Sequence, residues 1–201
     1  MSIIVSNSDF EIDHVVVGPL QNNVFTIRCR STGEGLLIDA ADEDELLSSI
    51  CDNYSVRKVI TTHGHFDHIG AVVAMRDKGI DILIQEEDSD MLPSYDLNID
   101  DESVVEIGKL RFKILHTPGH TPGSICIQLE NSPLLFSGDT LFPGGPGATH
   151  FPGGDFTKIM DSIETKLMTL EDETVVLPGH GSFTKIGLER GSIDEWAHRG
   201  W

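Results

Sequence analysis

The chain is poor in basic residues. Its 201 residues include 14 Lys and Arg against 33 Asp and Glu, which gives a formal net charge of −19 at pH 7. A surface with this balance repels phosphate backbones and anionic lipid headgroups, so the composition argues against nucleic acid and against a membrane surface as partners. No apolar run reaches the length of a membrane span, and we expect no insertion into a bilayer.

The sequence also shows no features of a secretory leader and no cysteine spacing typical of a disulfide framework. Residues 1–9 have neither the basic segment nor the long apolar segment of a signal peptide. The three cysteines, Cys29, Cys51 and Cys126, are scattered, odd in number and set in apolar surroundings. We therefore expect a cytoplasmic protein whose thiols are reduced and mostly buried.

What the chain does have is a regular alternation of strands, helices and short loops. Predicted strands cover residues 11–17, 23–29, 35–39, 57–62, 80–84, 103–107, 110–116, 124–129, 133–137 and 174–177. Predicted helices cover residues 42–53, 69–78 and 155–169 and a short C-terminal segment, while 86–102 reads as a short helix plus a surface loop. Two strand-rich halves, each closed by helices, predict one layered α/β domain over residues 1–201, with two sheets packed together and helices outside.

Residues 63–68, with the sequence His-Gly-His-Phe-Asp-His, are the densest group of metal-ligand types in the chain. Imidazole nitrogen and carboxylate oxygen suit a borderline divalent cation such as zinc. The motif follows a buried strand, where side chains two residues apart point the same way, so His63 and His65 can bind one ion. Asp67 and His68 lie where the chain turns towards the next helix, so we expect them to bind a second ion.

Three more residues of ligand type stand at predicted strand ends: His120 between two Pro-Gly turns, Asp139 after an apolar strand, and His180 after the last strand. Each alone would be read as a hydrogen-bonded turn residue. Together with the motif they complete two sites: His63, His65 and His120 in one, Asp67, His68 and His180 in the other. Asp139 can bridge the two ions, and the open coordination positions indicate a catalytic centre.

This ligand set resembles that of the metallo-β-lactamase-fold hydrolase superfamily, and within it the compact glyoxalase II-like hydrolases. The resemblance covers nearly the whole chain and includes every metal-ligand position. It implies an α/β fold of the αββα sandwich type, with a two-metal site at one edge. It also implies two divalent ions as cofactors, zinc first, with iron or manganese as alternatives.

Two departures from the family bear on the substrate. Full-length glyoxalase II carries an additional C-terminal helical domain whose basic residues hold glutathione, whereas this sequence ends at residue 201, soon after His180. The Gly-Cys-Gly-Arg-like stretch of the family is replaced here by residues 145–148, Gly-Pro-Gly-Ala. We therefore expect ester-type hydrolysis of a small acyl substrate that need not be a glutathione thioester.

The predicted reaction is attack by a hydroxide, held between two cations, on the carbonyl of a thioester, ester or lactone. Asp67 is also the candidate catalytic residue, because its free oxygen can orient that nucleophile. The loop from residue 141 to residue 155 is expected to wall the substrate pocket, with Phe142, His150 and Phe151 as candidate contacts. The alternative is that the phenylalanines fill core space and His150 faces solvent.

Other functions use the same ligand types. His63, His120 and Asp139 could form the two-histidine, one-carboxylate triad of a mononuclear iron enzyme, similar to the persulfide dioxygenases of the superfamily. A two-metal site also suits a small phosphodiester. A β-lactamase is a further alternative, although Asp139 stands where the commonest zinc β-lactamases have cysteine. A non-catalytic binding protein is disfavoured by the intact ligand set. The oligomeric state is not predicted.

Overall fold

The computed structural model describes residues 2–200. Its first sheet contains seven strands in sequence order: β1 (Ser2–Ser6), β2 (Phe10–Val17), β3 (Asn22–Cys29), β4 (Gly35–Ile38), β5 (Val56–Ile60), β6 (Asp81–Ile84) and β7 (Leu97–Asn98). Strands β1 to β4 pair antiparallel, and β4 to β7 pair parallel. The parallel half directs the carboxyl ends of its strands, including β5, to one edge of the sheet.

The second half of the chain contains eight strands: β8 (Val104–Ile107), β9 (Leu110–His116), β10 (Ile125–Leu129), β11 (Leu134–Gly138), β12 (Leu141–Phe142), β13 (Gly145–Pro146), β14 (Val175–Pro178) and β15 (Thr184–Lys185). Six of them form the second sheet in the order β15-β14-β11-β10-β9-β8, while β12 and β13 form a separate small hairpin. Strands β11 and β14 are parallel, so both end at the same edge.

The helices lie on the outer faces. They are α1 (Asp44–Asn53), α2 (Val72–Asp77), α3 (Phe156–Ser162), α4 (Ile186–Glu189) and α5 (Ile193–Arg199), with 3-10 turns at Phe66–His68, Glu86–Met91 and Arg190–Ser192. Helix α3 continues into a π-helical turn, Ile163–Leu167. No helix within residues 2–200 combines the length and the apolar character that crossing a bilayer requires.

Strand alternation sorts the apolar side chains into three layers of core. In β4, Leu36 and Ile38 face the space between the two sheets, while Leu37 packs under α1 and α2. In β11, Phe136 faces the central layer and Leu135 packs under α3. Successive side chains of a strand point to opposite faces, so each sheet buries both of its surfaces. The αββα sandwich expected from the sequence is confirmed.

The predicted elements are found with modest shifts, and three differences matter. The helix expected at 69–78 covers only Val72–Asp77, because the preceding residues form a turn. The helix expected at 155–169 changes to π-helical geometry after Ser162. Five short strands were not predicted: β1, β7, β12, β13 and β15. The three cysteines are buried and unpaired, as expected.

Candidate metal centre

The residues expected to bind metal lie together at one edge of the sandwich, where strands of both sheets end. Residues 63–68 follow β5 of the first sheet. His120 lies in the loop between β9 and β10, Asp139 follows β11, and His180 follows β14. Four of these side chains therefore come from one short segment, and three come from separate loops of the second sheet.

His63, His65 and His120, which we call the imidazole group, turn one nitrogen each towards a common point. His65 Nδ1 lies 3.1 Å from His63 Nε2 and 2.9 Å from His120 Nε2. The far nitrogen of His120 donates to the carbonyl oxygen of Ala148 at 2.7 Å. The far nitrogen of His63 faces Thr62 Oγ1 at 3.1 Å, and that hydroxyl already donates its proton to a carboxylate. Both Nε2 atoms therefore carry lone pairs, as metal ligands must.

Asp67, His68 and His180, which we call the mixed group, converge in the same way. Asp67 Oδ2 lies 3.2 Å from His180 Nε2 and 3.5 Å from His68 Nε2. His68 Nδ1 donates to Asp39 Oδ2 at 2.8 Å, and His180 Nδ1 donates to the carbonyl oxygen of Leu20 at 3.0 Å. These bonds leave the inward nitrogens of both rings free to bind a cation.

Asp139 stands between the two groups. Its Oδ2 lies 3.6 Å from His120 Nε2 and 3.6 Å from His180 Nε2. Its Oδ1 is buried and has no hydrogen-bond partner within the described residues. A side chain at Gly179 would place its Cβ 2.4 Å from this oxygen, so only glycine leaves the space open. A buried, unsatisfied carboxylate oxygen beside converging lone pairs fits divalent cations, because a cation satisfies all of them together.

Neighbouring rings in the cluster have opposite pKa shifts. Burial lowers the pKa of His63 well below its ordinary value, and the nearby His68 lowers it further. Burial also acts to lower the pKa of His68, but the carboxylates of Asp139 and Asp39 outweigh it and raise that pKa to about 9. For Asp67, burial is outweighed by His180 and His68, and the pKa falls well below its usual range. Asp67 therefore stays ionised at neutral pH.

The comparison with known families matches this geometry. The sequence model of the metallo-beta-lactamase superfamily matches residues 17–180, which include all seven residues of the cluster. The chain belongs to the metallo-β-lactamase superfamily. Members of this superfamily bind divalent metals such as zinc or iron and are mostly metal-dependent hydrolases.

Individual superfamily members match over most of their length. The hydroxyacylglutathione hydrolase GloC of Haemophilus influenzae is 31% identical over 202 residues, covering 90% of this chain and 95% of the relative. The crystal structure of the B3 metallo-β-lactamase BLEG-1 is 30% identical, with a TM-score of 0.83 over 90% of this chain and 96% of that one. The structure of TTHA1623 in a di-iron-bound form is 29% identical, with a TM-score of 0.79 over 89% and 96%. The resemblance to compact glyoxalase II-like proteins is thereby confirmed.

In this superfamily member a buried carboxylate supports each side of the cluster, and the sequence reasoning missed both. Asp39, at the end of β4, accepts from Thr62 N at 2.7 Å and from Thr62 Oγ1 at 2.9 Å as well as from His68. It thus orients His68 directly and His63 through Thr62. Its position directly after an apolar strand, like that of Asp139, is the signal that could have identified it.

Asp88 is the second support and carried no such signal. It lies in the acidic stretch that was expected to be a surface loop, yet it is fully buried. Its carboxylate accepts from Gly64 N at 2.8 Å, from Thr121 Oγ1 at 2.6 Å and from Gly123 N at 2.7 Å. It therefore joins the loop that carries His65 to the loop that carries His120.

Two asparagines at the start of β3 were also missed. Asn22 Nδ2 donates to Asp67 Oδ2 at 3.0 Å. Asn23 N donates to the carbonyl oxygen of Gly179 at 2.7 Å, and its side-chain amide donates to that of Pro178 at 2.9 Å. The first sheet thereby holds the loop of the second sheet in which His180 lies.

Two of the three candidate substrate contacts, His150 and Phe151, are neighbours, and Phe142 lies in a separate hairpin. The ring of Phe151 stands edge-on to His65 at 5.5 Å between centroids, and 45% of the residue is exposed. His150 is exposed and packs against Phe151 at 4.2 Å. Phe142 lies in the β12–β13 hairpin, where it pairs with Gly145 and is partly buried. Phe151 thus forms a wall beside the imidazole group.

Proposed function

We propose that this superfamily member is a dinuclear metal-dependent hydrolase that cleaves a thioester, ester or lactone. The observation that carries the proposal is the arrangement of the ligand atoms in two groups, each within 4.8 Å, with Asp139 between them. Nitrogen and oxygen ligands without thiolate favour zinc, and they also accept iron or manganese. In the proposal His63, His65 and His120 would hold one ion, Asp67, His68 and His180 would hold the other, and Asp139 would contribute to both.

Two ions bound in this way would supply hydroxide at neutral pH and positive charge for a developing oxyanion. The protein's own contribution is orientation. Four rings are fixed through their far nitrogens by Ala148 O, Leu20 O, Asp39 and Thr62, so they need no rearrangement during the reaction. A site fixed in advance loses little free energy to reorganisation.

Asp67 is the proposed catalytic residue as well as a ligand. Its lowered pKa keeps the carboxylate ionised, so it can accept a hydrogen bond from the attacking water and direct its lone pair to the carbonyl carbon. Asn22 holds one oxygen of this carboxylate by donating to Oδ2. The orientation of Asp67 is thereby set before substrate binds.

The partner in this proposal is a small acyl substrate. Phe151, with His150 packed behind it, provides an apolar wall beside His65, and Phe142 is the more distant candidate contact. The excess of acidic residues supports the absence of nucleic-acid and membrane partners. The three buried, unpaired thiols support a cytoplasmic location.

Metal content and a substrate panel test the proposal together. Protein purified without chelators should contain about two zinc, iron or manganese ions per chain, the content of a two-metal hydrolase. It should cleave a thioester, an ester or a lactone faster than a phosphodiester or a β-lactam. A chelator should remove this activity, and added metal should restore it. A single iron per chain, with oxygen uptake in the presence of a persulfide, would favour the dioxygenase instead. Absence of metal even after reconstitution would overturn the catalytic proposal.

A further inference from the structure

A cleft opens beside Asp67 of the mixed group, whereas Phe151 stands beside the imidazole group. It lies between the β2–β3 turn and the turn that carries the motif, and its volume is about 220 Å³. The residues that line it include Leu20, Asn22, Asp42, Phe66 and Asp67. None of the three candidate substrate contacts, Phe142, His150 and Phe151, lines this cleft. What the cleft binds therefore has to be inferred from its own lining residues.

The cleft leads directly to the proposed reaction centre. Asp67 lines it and belongs to the mixed group. Leu20, which also lines the cleft, provides the carbonyl oxygen that accepts from His180 Nδ1 at 3.0 Å. A carbonyl group held at the cluster would therefore have a short path for one of its substituents into the cleft.

Two of the side chains that line the cleft are large, apolar and left uncovered by the fold. Phe66 is 77% exposed and Leu20 is 50% exposed. The amide of His68 donates to the carbonyl of His65 at 2.9 Å, which closes the turn that presents Phe66. Large apolar side chains exposed around a concave, polar reaction centre are characteristic of ligand sites.

The charged residues and the volume of the cleft limit the kinds of ligand that it can bind. Among residues 2–200, the only charged side chains that line the cleft are the carboxylates of Asp42 and Asp67. A bound cation would offset the charge of Asp67, which leaves Asp42 as the free carboxylate of the cleft. An anionic group would lose its water beside Leu20 and Phe66 and would have no lysine or arginine lining the cleft to pair with it. A volume of about 220 Å³ is below the roughly 300–1,000 Å³ of pockets for drug-sized ligands, so the group that fits is short.

We infer that this cleft binds a short, uncharged, apolar acyl chain, and that the enzyme selects neutral acyl substrates over those whose acyl group ends in a carboxylate. The inference rests on the proposed hydrolase function and specifies its substrate class. Leu20 and Phe66 are the residues that set the selectivity.

Two thioesters of N-acetylcysteamine, a neutral thiol, provide the matched pair. Pentanoyl and glutaryl thioesters have the same chain length and differ in a terminal methyl against a carboxylate. With metal-loaded enzyme, and with spontaneous hydrolysis subtracted, kcat/KM for the pentanoyl thioester should exceed that for the glutaryl thioester at least tenfold, about the discrimination that a small change in a binding pocket supports. A ratio near one would overturn the inference.

Variants assign the preference to the cleft. Leu20→Ser and Phe66→Ser should each reduce the pentanoyl-to-glutaryl ratio by about threefold to tenfold, mainly through a higher KM for the pentanoyl thioester. Leu20→Lys should reduce it most, because it places a cation in the cleft. All three keep the backbone carbonyl that His180 uses. Leu188→Ser, at a residue 72% exposed in α4, is the matched control and should leave the ratio unchanged. A ratio that does not respond to any cleft variant would contradict the assignment.

Binding of two hydroxamates separates this inference from the proposed reaction. Pentanohydroxamate and the monohydroxamate of glutaric acid share the metal-chelating head group and differ in the same terminal group. Calorimetry on metal-loaded protein should give at least a tenfold lower Kd for the pentanoyl compound, and Leu20→Lys should remove the difference. If neither thioester is cleaved but this preference is found, the reaction is wrong and the cleft assignment stands. Equal Kd values, or no binding, overturn the cleft assignment.

Discussion

The two halves of the candidate metal centre are supported in different ways. Asp39, beneath the mixed group, contacts His68 itself and reaches His63 through Thr62. Asp88, beneath the imidazole group, accepts from two backbone amides and a hydroxyl in the loops that carry His65 and His120. One buried carboxylate orients rings, and the other fixes the loops from which rings project. Loss of the first should therefore alter metal affinity, and loss of the second should alter stability.

The largest effect is expected where the two halves meet. Asp139→Ala removes the one carboxylate that lies 3.6 Å from ring nitrogens of both groups. Hydrolysis should fall on the order of 10³-fold, the scale of losing a preorganised electrostatic contact, and the metal content should fall with it. The measurements are kcat/KM and metal per chain. Asp161→Ala, at an exposed position of α3, should change neither. A variant that keeps both ions and full turnover would contradict the bridging role.

Asp88→Ala should destabilise the protein, because Asp88 joins the loops that carry His65 and His120. The substitution leaves three donors without their buried acceptor, and the free energy of unfolding of the metal-free protein should fall by about 3 kcal/mol. Urea denaturation after chelation measures it. Asp90→Ala in the same turn is exposed and should stay within about 0.5 kcal/mol of the parent. Equal stability of the two variants would disprove the structural role of Asp88.

Asp39→Asn should mainly lower metal affinity. Its amide nitrogen cannot accept from His68 Nδ1 or from the Thr62 hydroxyl, so the free nitrogen of His68 would no longer be directed inwards. Loss of such an outer partner weakens metal binding by roughly 10–100-fold. Competition with a chromophoric chelator measures this. Asp81→Asn, exposed at the start of β6, is the control. An unchanged metal affinity in Asp39→Asn would show that Asp39 does not orient the metal-binding rings, and Asp39 and Asp88 would then not differ in the way proposed.

The smallest expected effect is a difference in protonation between one ring of each group, His63 and His68. The rings of His63 and His68 lie 4.1 Å apart, yet of these two only His68 should be doubly protonated and positively charged at pH 7.5 in the metal-free protein, since its pKa is raised to about 9 while that of His63 is lowered. A raised pKa contributes stability that is complete below the ordinary value of 6.5 and is lost as the pH rises through about 9. Imidazole ¹⁵N shifts in a pH titration report both states.

Metal should reverse this proton occupancy at His68, because a ligand nitrogen must be deprotonated. The same titration on metal-loaded protein is the comparison. A neutral His68 ring at pH 7.5 in metal-free protein would show that the surrounding carboxylates do not outweigh burial.

Sequence patterns identified the parts of this centre that are local. The motif at residues 63–68 is dense enough to be recognised by itself, and Asp139 and His180 follow apolar strands whose ends meet at one edge. Asp88 could not be found in this way, because the burial of one carboxylate within an acidic stretch depends on loops far along the chain. The same holds for Asn22, whose contact with Asp67 joins segments 45 residues apart, and for Leu20, whose contact with His180 crosses between the sheets.

Fold prediction had a similar limit. Strands β2 to β6 and β8 to β11 have apolar cores of their own and were recognisable, whereas β12, β13 and β15 have two residues each and exist through pairing alone. The π-helical turn after Ser162 likewise has no periodic signature, because the apolar face simply continues through Ile163 and Leu167.

The division of the centre between two sheets has a consequence for biosynthesis. A ribosome would release residues 63–68, with four of the seven candidate ligands, well before His120, Asp139 and His180 are made. During that interval the nascent chain contains an incomplete site, which has only four of the seven candidate ligands for a cation. Full retention of a metal ion would require the second sheet to dock on the first, so metal capture and closure of the sandwich would be one event.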